Sequence, residues 1–256
     1  VTMKITVLGS GTSTGVPMVG CHCRGCSSVD PRDKRSRASL LLQYDGHTVL
    51  IDTSTDLRQQ MLREAVPQID AVLYTHSHAD HVNGIDDLRG FNFLHKEIVP
   101  CYGSPETLAI LQSGFGYIFE ELNGSGYRPL MSAHHMPPIL DLFGLEIRAI
   151  PLMHGKTETL GFRFGNCAYL TDCNAIPPAS LPLLGGLEVL IIDGLRWTPH
   201  TTHFNIEQAI AATGALQAGR TVLTHLTHDV LHVEESRLPG GYEFAYDGMI
   251  FECSAG

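Results

Sequence analysis

The sequence lacks several features that would assign a chain of 256 residues to a class at sight. No apolar run reaches the roughly 20 residues that a membrane-spanning helix needs, so no membrane partner is expected. The N-terminus carries no apolar core or cleavage site of a secretion signal; a strand-like pattern begins almost at once. Basic residues are scarce: 17 Lys and Arg stand against 27 Asp and Glu, for a net charge of −10. An acidic surface is a poor match for nucleic acid, which is gripped by neutralising phosphates, though bound divalent cations would offset the charge locally and admit a small anionic substrate. The seven cysteines are odd in number, with three packed into six positions, and make no disulfide framework. A reducing cytoplasm is the expected location. Linkers, low-complexity tracts and short repeats are missing too, and 43% hydrophobic residues suffice for one core. The expected organisation is a single domain over 1–256.

What is present is concentrated in Thr75-His76-Ser77-His78-Ala79-Asp80-His81. Four potential metal ligands fall within six positions, directly after the apolar run 69–74, which reads as a buried strand. An extended backbone points His76 and His78 the same way, whereas adjacent Asp80 and His81 point differently. The pattern therefore reads as a nucleus for two metals. Further strand-like runs end in His154, Asp172 and His225, and the second strand of a hairpin built on Asp45-Gly46-His47 ends at Asp52. Side chains at strand ends of layered sheets converge on one edge, so these late residues are candidates for the same site.

Cys21-His22-Cys23-Arg24-Gly25-Cys26 offers three thiolates and needs one more ligand for tetrahedral zinc. His22 competes for direction with its neighbours. The other cysteines, Cys101, Cys167, Cys173 and Cys253, lie in or beside strands and read as buried small hydrophobes. Arg89 is a candidate anion contact, set against a salt bridge to Asp86 or Asp87. Ser54 and Asn205 are candidate helix N-caps. Residues 113–135, rich in glycine and aromatics, read as an inserted flap, with His134 and His135 on the surface, and 244–251 reads as a closing hairpin.

These motifs resemble the metallo-β-lactamase superfamily of hydrolases, over essentially the whole chain. Within it the likeness is to the phosphodiesterase branch that contains PhnP and tRNase Z. The resemblance implies a four-layer αββα sandwich of two mixed sheets with the site at one edge. It implies two divalent metals, zinc or manganese or iron: one held by His76, His78 and His154, the other by Asp80, His81 and His225, with Asp172 bridging and Asp52 orienting from behind. It makes His228 the fourth ligand of a structural zinc with Cys21, Cys23 and Cys26. It casts His203 as proton donor to a leaving group, with Thr202 and Asn205 as its orienting neighbours, and Asp80 as a catalytic residue. The implied activity is hydrolysis of a small phosphodiester, cyclic or nucleotide-like. The alternatives are hydrolysis of a thioester or lactone, or tRNase Z-like RNA processing, which the acidic charge and short flap disfavour. A homodimer is compatible with all of these.

Overall fold

In the computed structural model, which describes residues 2–120 and 128–254, the apolar runs pair into two seven-stranded mixed sheets. The first half of the chain supplies β1 (Thr2–Gly9), β2 (Ser39–Tyr44), β3 (His47–Ile51), β4 (Ala71–Leu73), β5 (Val99–Gly103) and β6 (Met131–His135). The second supplies β7 (Ile139–Leu142), β8 (Leu145–His154), β9 (Thr157–Phe164), β10 (Cys167–Leu170), β11 (Val189–Asp193), β12 (Arg220–Thr224) and β13 (Tyr242–Phe244). The last strand, β14 (Ile250–Ser254), crosses back to the first sheet and pairs antiparallel with β1. The sheet orders are β14-β1-β2-β3-β4-β5-β6 and β13-β12-β11-β10-β9-β8-β7.

Alternation along the strands sets the layers. Met3, Ile5, Val7, Leu40, Leu42, Val49 and Ile51 of one sheet meet Ile147, Phe162, Phe164, Tyr169, Ile191 and Val222 of the other in a central core. Their neighbours face outward. Leu41, Leu50 and Val72 lie under Leu57 and Met61 of α1 (Leu57–Arg63), under the short α2 (Ala79–Val82) and under Leu108 and Leu111 of α4 (Pro105–Gly114). Between these run α3 (Arg89–His95) and, after α4, α5 (Gly116–Phe119). On the opposite face Ala168, Leu170, Leu190 and Ile192 are covered by Ile206 and Ala209 of α6 (Ile206–Thr213). Three apolar clusters between four layers are the αββα sandwich that the sequence resemblance implies.

Local chemistry explains the junctions. Asp45 and Gly46, with φ of 46° and 80°, make the tight turn between β2 and β3, a conformation that favours glycine. Asn205 caps α6 in a box with Gln208. Ser54 does not cap α1: the helix starts later, at Asp56, and the Ser54 hydroxyl accepts from the Asp56 N–H and donates to Gln60.

Three expectations are corrected. Residues 244–251 form no hairpin, because β13 runs parallel to β12 while β14 joins the other sheet. The connection between them buries Ala245 and Met249 in the central core and is pinned at Asp247, whose carboxylate accepts from Ser10, Ser36 and Arg63. Second, Cys167 on β10 and Cys253 on β14 are buried but not free. They face each other across the core, Cα atoms 6.8 Å apart, and are joined as a disulfide that ties the sheets together. Cys101 and Cys173 are free and buried as expected. Third, the segment 113–135 holds the end of α4, α5 and the edge strand β6; its middle, 121–127, lies outside the described residues. His134 and His135 on β6 are exposed, and His134 stacks on Tyr102.

Arg35 holds the entry and exit of the two halves together. Its side chain is fully buried, pairs with Asp33 at 3.2 Å and donates to the carbonyls of Thr227 and Val230. Removing it leaves the buried Asp33 carboxylate with only neutral donors, the Ser28 hydroxyl and the His232 N–H, and takes a donor from two carbonyls, so Arg35→Ala is expected to cost roughly 3–5 kcal/mol. Equilibrium urea unfolding measures this; a loss below about 1 kcal/mol contradicts the role.

Candidate metal centre and its surroundings

The site residues lie at the C-terminal ends of strands that run parallel: β3 with β4 in one sheet, β10 with β11 and β12 in the other. Strand ends of parallel sheets open onto a crevice where side chains from separate strands meet. Asp52 follows β3, His76 follows β4, His154 ends β8, Asp172 follows β10, Asp193 ends β11 and His225 follows β12. Three of them, Asp52, Asp172 and His225, have φ of 64°, 53° and 60°. Such left-handed backbone outside glycine is held only where surrounding packing imposes it, and here it turns each side chain off its strand toward the seam between the sheets.

Two donor sets result. His76, His78, His154 and Asp172 present ligand atoms within 4.8 Å of one another, and so do Asp80, His81 and His225. Asp172 stands between them. Its Oδ2 lies 3.7 Å from His76 Nε2, and its Oδ1 lies 3.2 Å from His81 Nε2 and 3.4 Å from His225 Nε2. Asp80 Oδ2 is 3.4 Å from His81 Nε2 and 3.6 Å from His225 Nε2. The far nitrogens are already fixed. His81 Nδ1 donates to Asp52 Oδ2 at 2.7 Å and His154 Nδ1 to the Thr202 carbonyl at 2.7 Å. The Thr75 hydroxyl gives its proton to Asp52, so it accepts from His76 Nδ1 at 3.0 Å. In each ring Nε2 is therefore left facing inward.

Those inward atoms fit cations. His76 Nε2, His81 Nε2, His225 Nε2 and Asp80 Oδ2 are buried and have no hydrogen-bond partner among the described residues. Unpartnered buried polar atoms are costly, and several converging on one point is the arrangement a metal satisfies. Separations of 3.2–3.7 Å suit neighbouring donors bonded to one ion at about 2.1 Å. The electrostatics agree. Burial opposes a charged His225, yet Asp172 and Asp80 outweigh it and push its pKa up to about 9. His81 is likewise raised against its burial by Asp172 and Asp52. Burial opposes ionisation of Asp172 and Asp80 as well, and the same histidines hold both carboxyls below the usual range. His76 and His154 go down instead, both chiefly through burial, with the His81 charge adding to it at His76 and His203 at His154. The cluster stabilises positive charge that only protons or metals supply.

A second set lies apart. The sulfurs of Cys21, Cys23 and Cys26 stand 3.3, 3.2 and 3.4 Å from His228 Nδ1. The Cys26 N–H donates to Cys23, lowering its thiol to about 6, while burial pushes Cys26 up to about 11. A Cβ on Gly25 would lie 2.0 Å from the His228 carbonyl, so only glycine lets the Cys loop reach this histidine. Exposed His22 stays outside the set.

His203 sits between the metal cluster and solvent, 8% exposed, with its ring 4.8 Å from His225 and 4.5 Å from His154. Its Nδ1 pairs with Asp193 Oδ2 at 2.6 Å. This corrects the expected orienting neighbours: Thr202 instead receives His154, and Asn205 caps α6. Asp193 went unassigned in the sequence, although it ends an apolar strand before a glycine, the same signal as the other site carboxylates. Arg89 is also corrected. One turn of helix brings it onto Asp86, which holds its guanidinium, and it belongs to neither donor set.

Residues 47–226 match the family described as the β-lactamase superfamily domain. A diphosphatase from the PhnP family has a solved structure similar to this one, with a TM-score of 0.93 and 43% identity over 99% of this chain and 98% of that one. The zinc-bound PqqB from Methylobacterium extorquens shares the fold at TM-score 0.77 and 20% identity, over 97% of this chain and 99% of its own. Among curated proteins, an octanoyltransferase of Porphyromonas gingivalis is 40% identical over 96% of this chain, but the chain spans only 51% of that relative's length. The chain thus belongs to the β-lactamase superfamily and, at this level of identity and coverage, to the PhnP family within it.

Proposed function

We propose that the chain is a metal-dependent phosphodiesterase acting on a small phosphodiester, cyclic or nucleotide-like. The observation that carries this reading is the juxtaposition of Asp172, with one oxygen toward each donor set, and the His203–Asp193 pair beside them. The likeness to a PhnP-family diphosphatase supports it. His76, His78 and His154 would hold one divalent ion and Asp80, His81 and His225 the other, with Asp172 shared. Ions of this kind, zinc, manganese or iron, supply Lewis acidity toward phosphate oxygens and lower the pKa of water.

The protein's own residues supply the rest. Asp52 fixes the tautomer of His81 and, through Thr75, that of His76, keeping the inward nitrogens available. Asp80 would add a second carboxylate beside the shared one, an anionic ligand that helps His81 and His225 keep a divalent ion in place. His203 holds a proton at Nε2 for the departing alkoxide, which leaves poorly without one. Asp193 keeps the opposite nitrogen occupied and stabilises the charged imidazolium before the transfer. We further propose that the thiolates of Cys21, Cys23 and Cys26 hold a structural zinc with His228, and a cytoplasmic location, in which the Cys167–Cys253 disulfide is shielded from reductant by its burial in the core.

A second reading has one observation in its favour, the 40% identical octanoyltransferase, whose name concerns acyl groups. Acyl thioester or ester hydrolysis at the same centre is therefore the competing activity.

Protein loaded with zinc or manganese is expected to hydrolyse bis(p-nitrophenyl) phosphate and to lose this activity to a chelator. Turnover of octanoyl thioesters with a broad diester panel untouched overturns the reading. His203→Ala should lower kcat by roughly 10²–10⁴ on diesters with alkoxide leaving groups and by less with nitrophenolate, which needs no proton; equal losses on both contradict the donor role. Cys23→Ser should lower bound zinc and melting temperature together, measured by metal analysis and thermal denaturation. Lost activity with zinc and stability intact would rule out a structural site.

A further inference from the structure

The two donor sets are unequal in charge. Asp80 gives its set a carboxylate of its own, and Asp52 backs His81 with another. The set of His76, His78 and His154 has no such support. Behind His154 stands the neutral Thr202 carbonyl, and behind His76 the Thr75 hydroxyl, through which alone Asp52 reaches that ring. Asp80, His81 and His225 are all buried, whereas His78 is exposed. Opposite charge is what holds a divalent cation most strongly, and the histidine set has only Asp172 to offer it.

Thr171 acts on how that carboxylate is shared. It follows β10 directly and is fully buried. Its hydroxyl donates to Asp172 Oδ1 at 2.7 Å. Oδ1 is the oxygen that faces His81 and His225, at 3.2 and 3.4 Å. Oδ2, which faces His76 at 3.7 Å, receives no hydrogen bond among the described residues. A proton donated to one oxygen of a carboxylate stabilises charge there in a strong bond and leaves the other oxygen the better donor to a cation. The same bond fixes rotation of the carboxylate; without it both oxygens are free to turn toward His81 and His225. The backbone of Asp172 is held separately, by the Thr159 hydroxyl on its carbonyl at 3.1 Å. The Thr171 bond therefore orients the carboxylate and not the chain.

We propose that Thr171 is a positioning residue of the metal centre, which keeps the ligating strength of Asp172 on the oxygen facing His76 and so lets the carboxylate-poor set hold its ion. The assignment rests on the two-ion part of the reading above. The set of Asp80, His81 and His225 can spare that share of Asp172, because Asp80 and the Asp52-backed His81 remain to it. The set of His76, His78 and His154 cannot. Removing the hydroxyl shifts Asp172 toward the set already richer in carboxylates, and the ion beside His76 is the one released.

The test titrates manganese, a hard ion poorly suited to thiolates, into metal-depleted protein and follows the free ion by electron paramagnetic resonance. Wild type should bind two ions per chain. Thr171→Val, which keeps the shape of the side chain, should hold one ion as tightly as wild type and the other roughly 10–100-fold more weakly. Thr171→Ser, which restores the hydroxyl, should recover the weakened ion. Thr171→Ala removes the same hydroxyl and should match Thr171→Val, which guards against a packing fault of the valine. The position is checked in two backgrounds. With His76→Ala, adding Thr171→Val should leave the remaining ion unweakened; with Asp80→Asn it should weaken it. Equal weakening of both ions, no weakening of either, or weakening in the His76→Ala background overturns the assignment. A wild type that binds fewer than two manganese ions overturns the two-ion reading itself.

Discussion

Everything at the centre of this protein depends on Asp172 being ionised in a fully buried position. A lone carboxylate there would be untenable, since desolvation penalises the charge heavily. It is sustained because His81, His76 and His225 crowd its two oxygens from both sides. The same histidines cannot satisfy one another, and their Nε2 atoms have no hydrogen-bond partner among the described residues. The arrangement is incomplete as protein alone and complete with cations, so the packing of the two sheets and the demand for metal are one constraint.

The constraint propagates outward in layers. Asp52 and Thr75 fix the histidines from the first sheet, and Asp193 and the Thr202 carbonyl fix His203 and His154 from the second. Each partner holds an Nδ1, which leaves the opposite nitrogen for chemistry. The Cys21–Cys23–Cys26–His228 set reaches the same region from another direction. His228 lies three residues past His225, and the Cys loop touches its backbone through Gly25. The Arg35–Asp33 pair secures the chain between Thr227 and Val230 just beyond. The segment bearing His225 is thus fixed on both of its sides.

Much of the fold and the donor sets was legible in the sequence, because strand periodicity and ligand spacing are local. His76, His78, Asp80 and His81 lie in one loop, and His154, Asp172 and His225 each close an apolar run. Local patterns failed where a partner came from far along the chain. Asp193 and His203 are ten residues apart, yet nothing in the loop between them marks them as a pair until β11 and α6 are docked. Cys167 and Cys253 read as separate buried residues because their pairing needs β14 to leave the neighbourhood of β13 and join the other sheet. Arg89 is a different case: the sequence left an anion contact and a salt bridge to Asp86 or Asp87 both open, and the pair formed is the local one to Asp86.

The sequence by itself determined the kind of chemistry: which residue types are available, at what spacing, at the ends of which strands. It also determined the layered sandwich, since alternating apolar faces on many strands leave few ways to bury them. Only the tertiary structure decided which oxygen of Asp172 faces which set and which nitrogen of each histidine is free. Those are matters of direction. A one-dimensional pattern fixes which groups a chain carries, but orientation is set by hydrogen bonds and packing between segments that only the folded chain brings together.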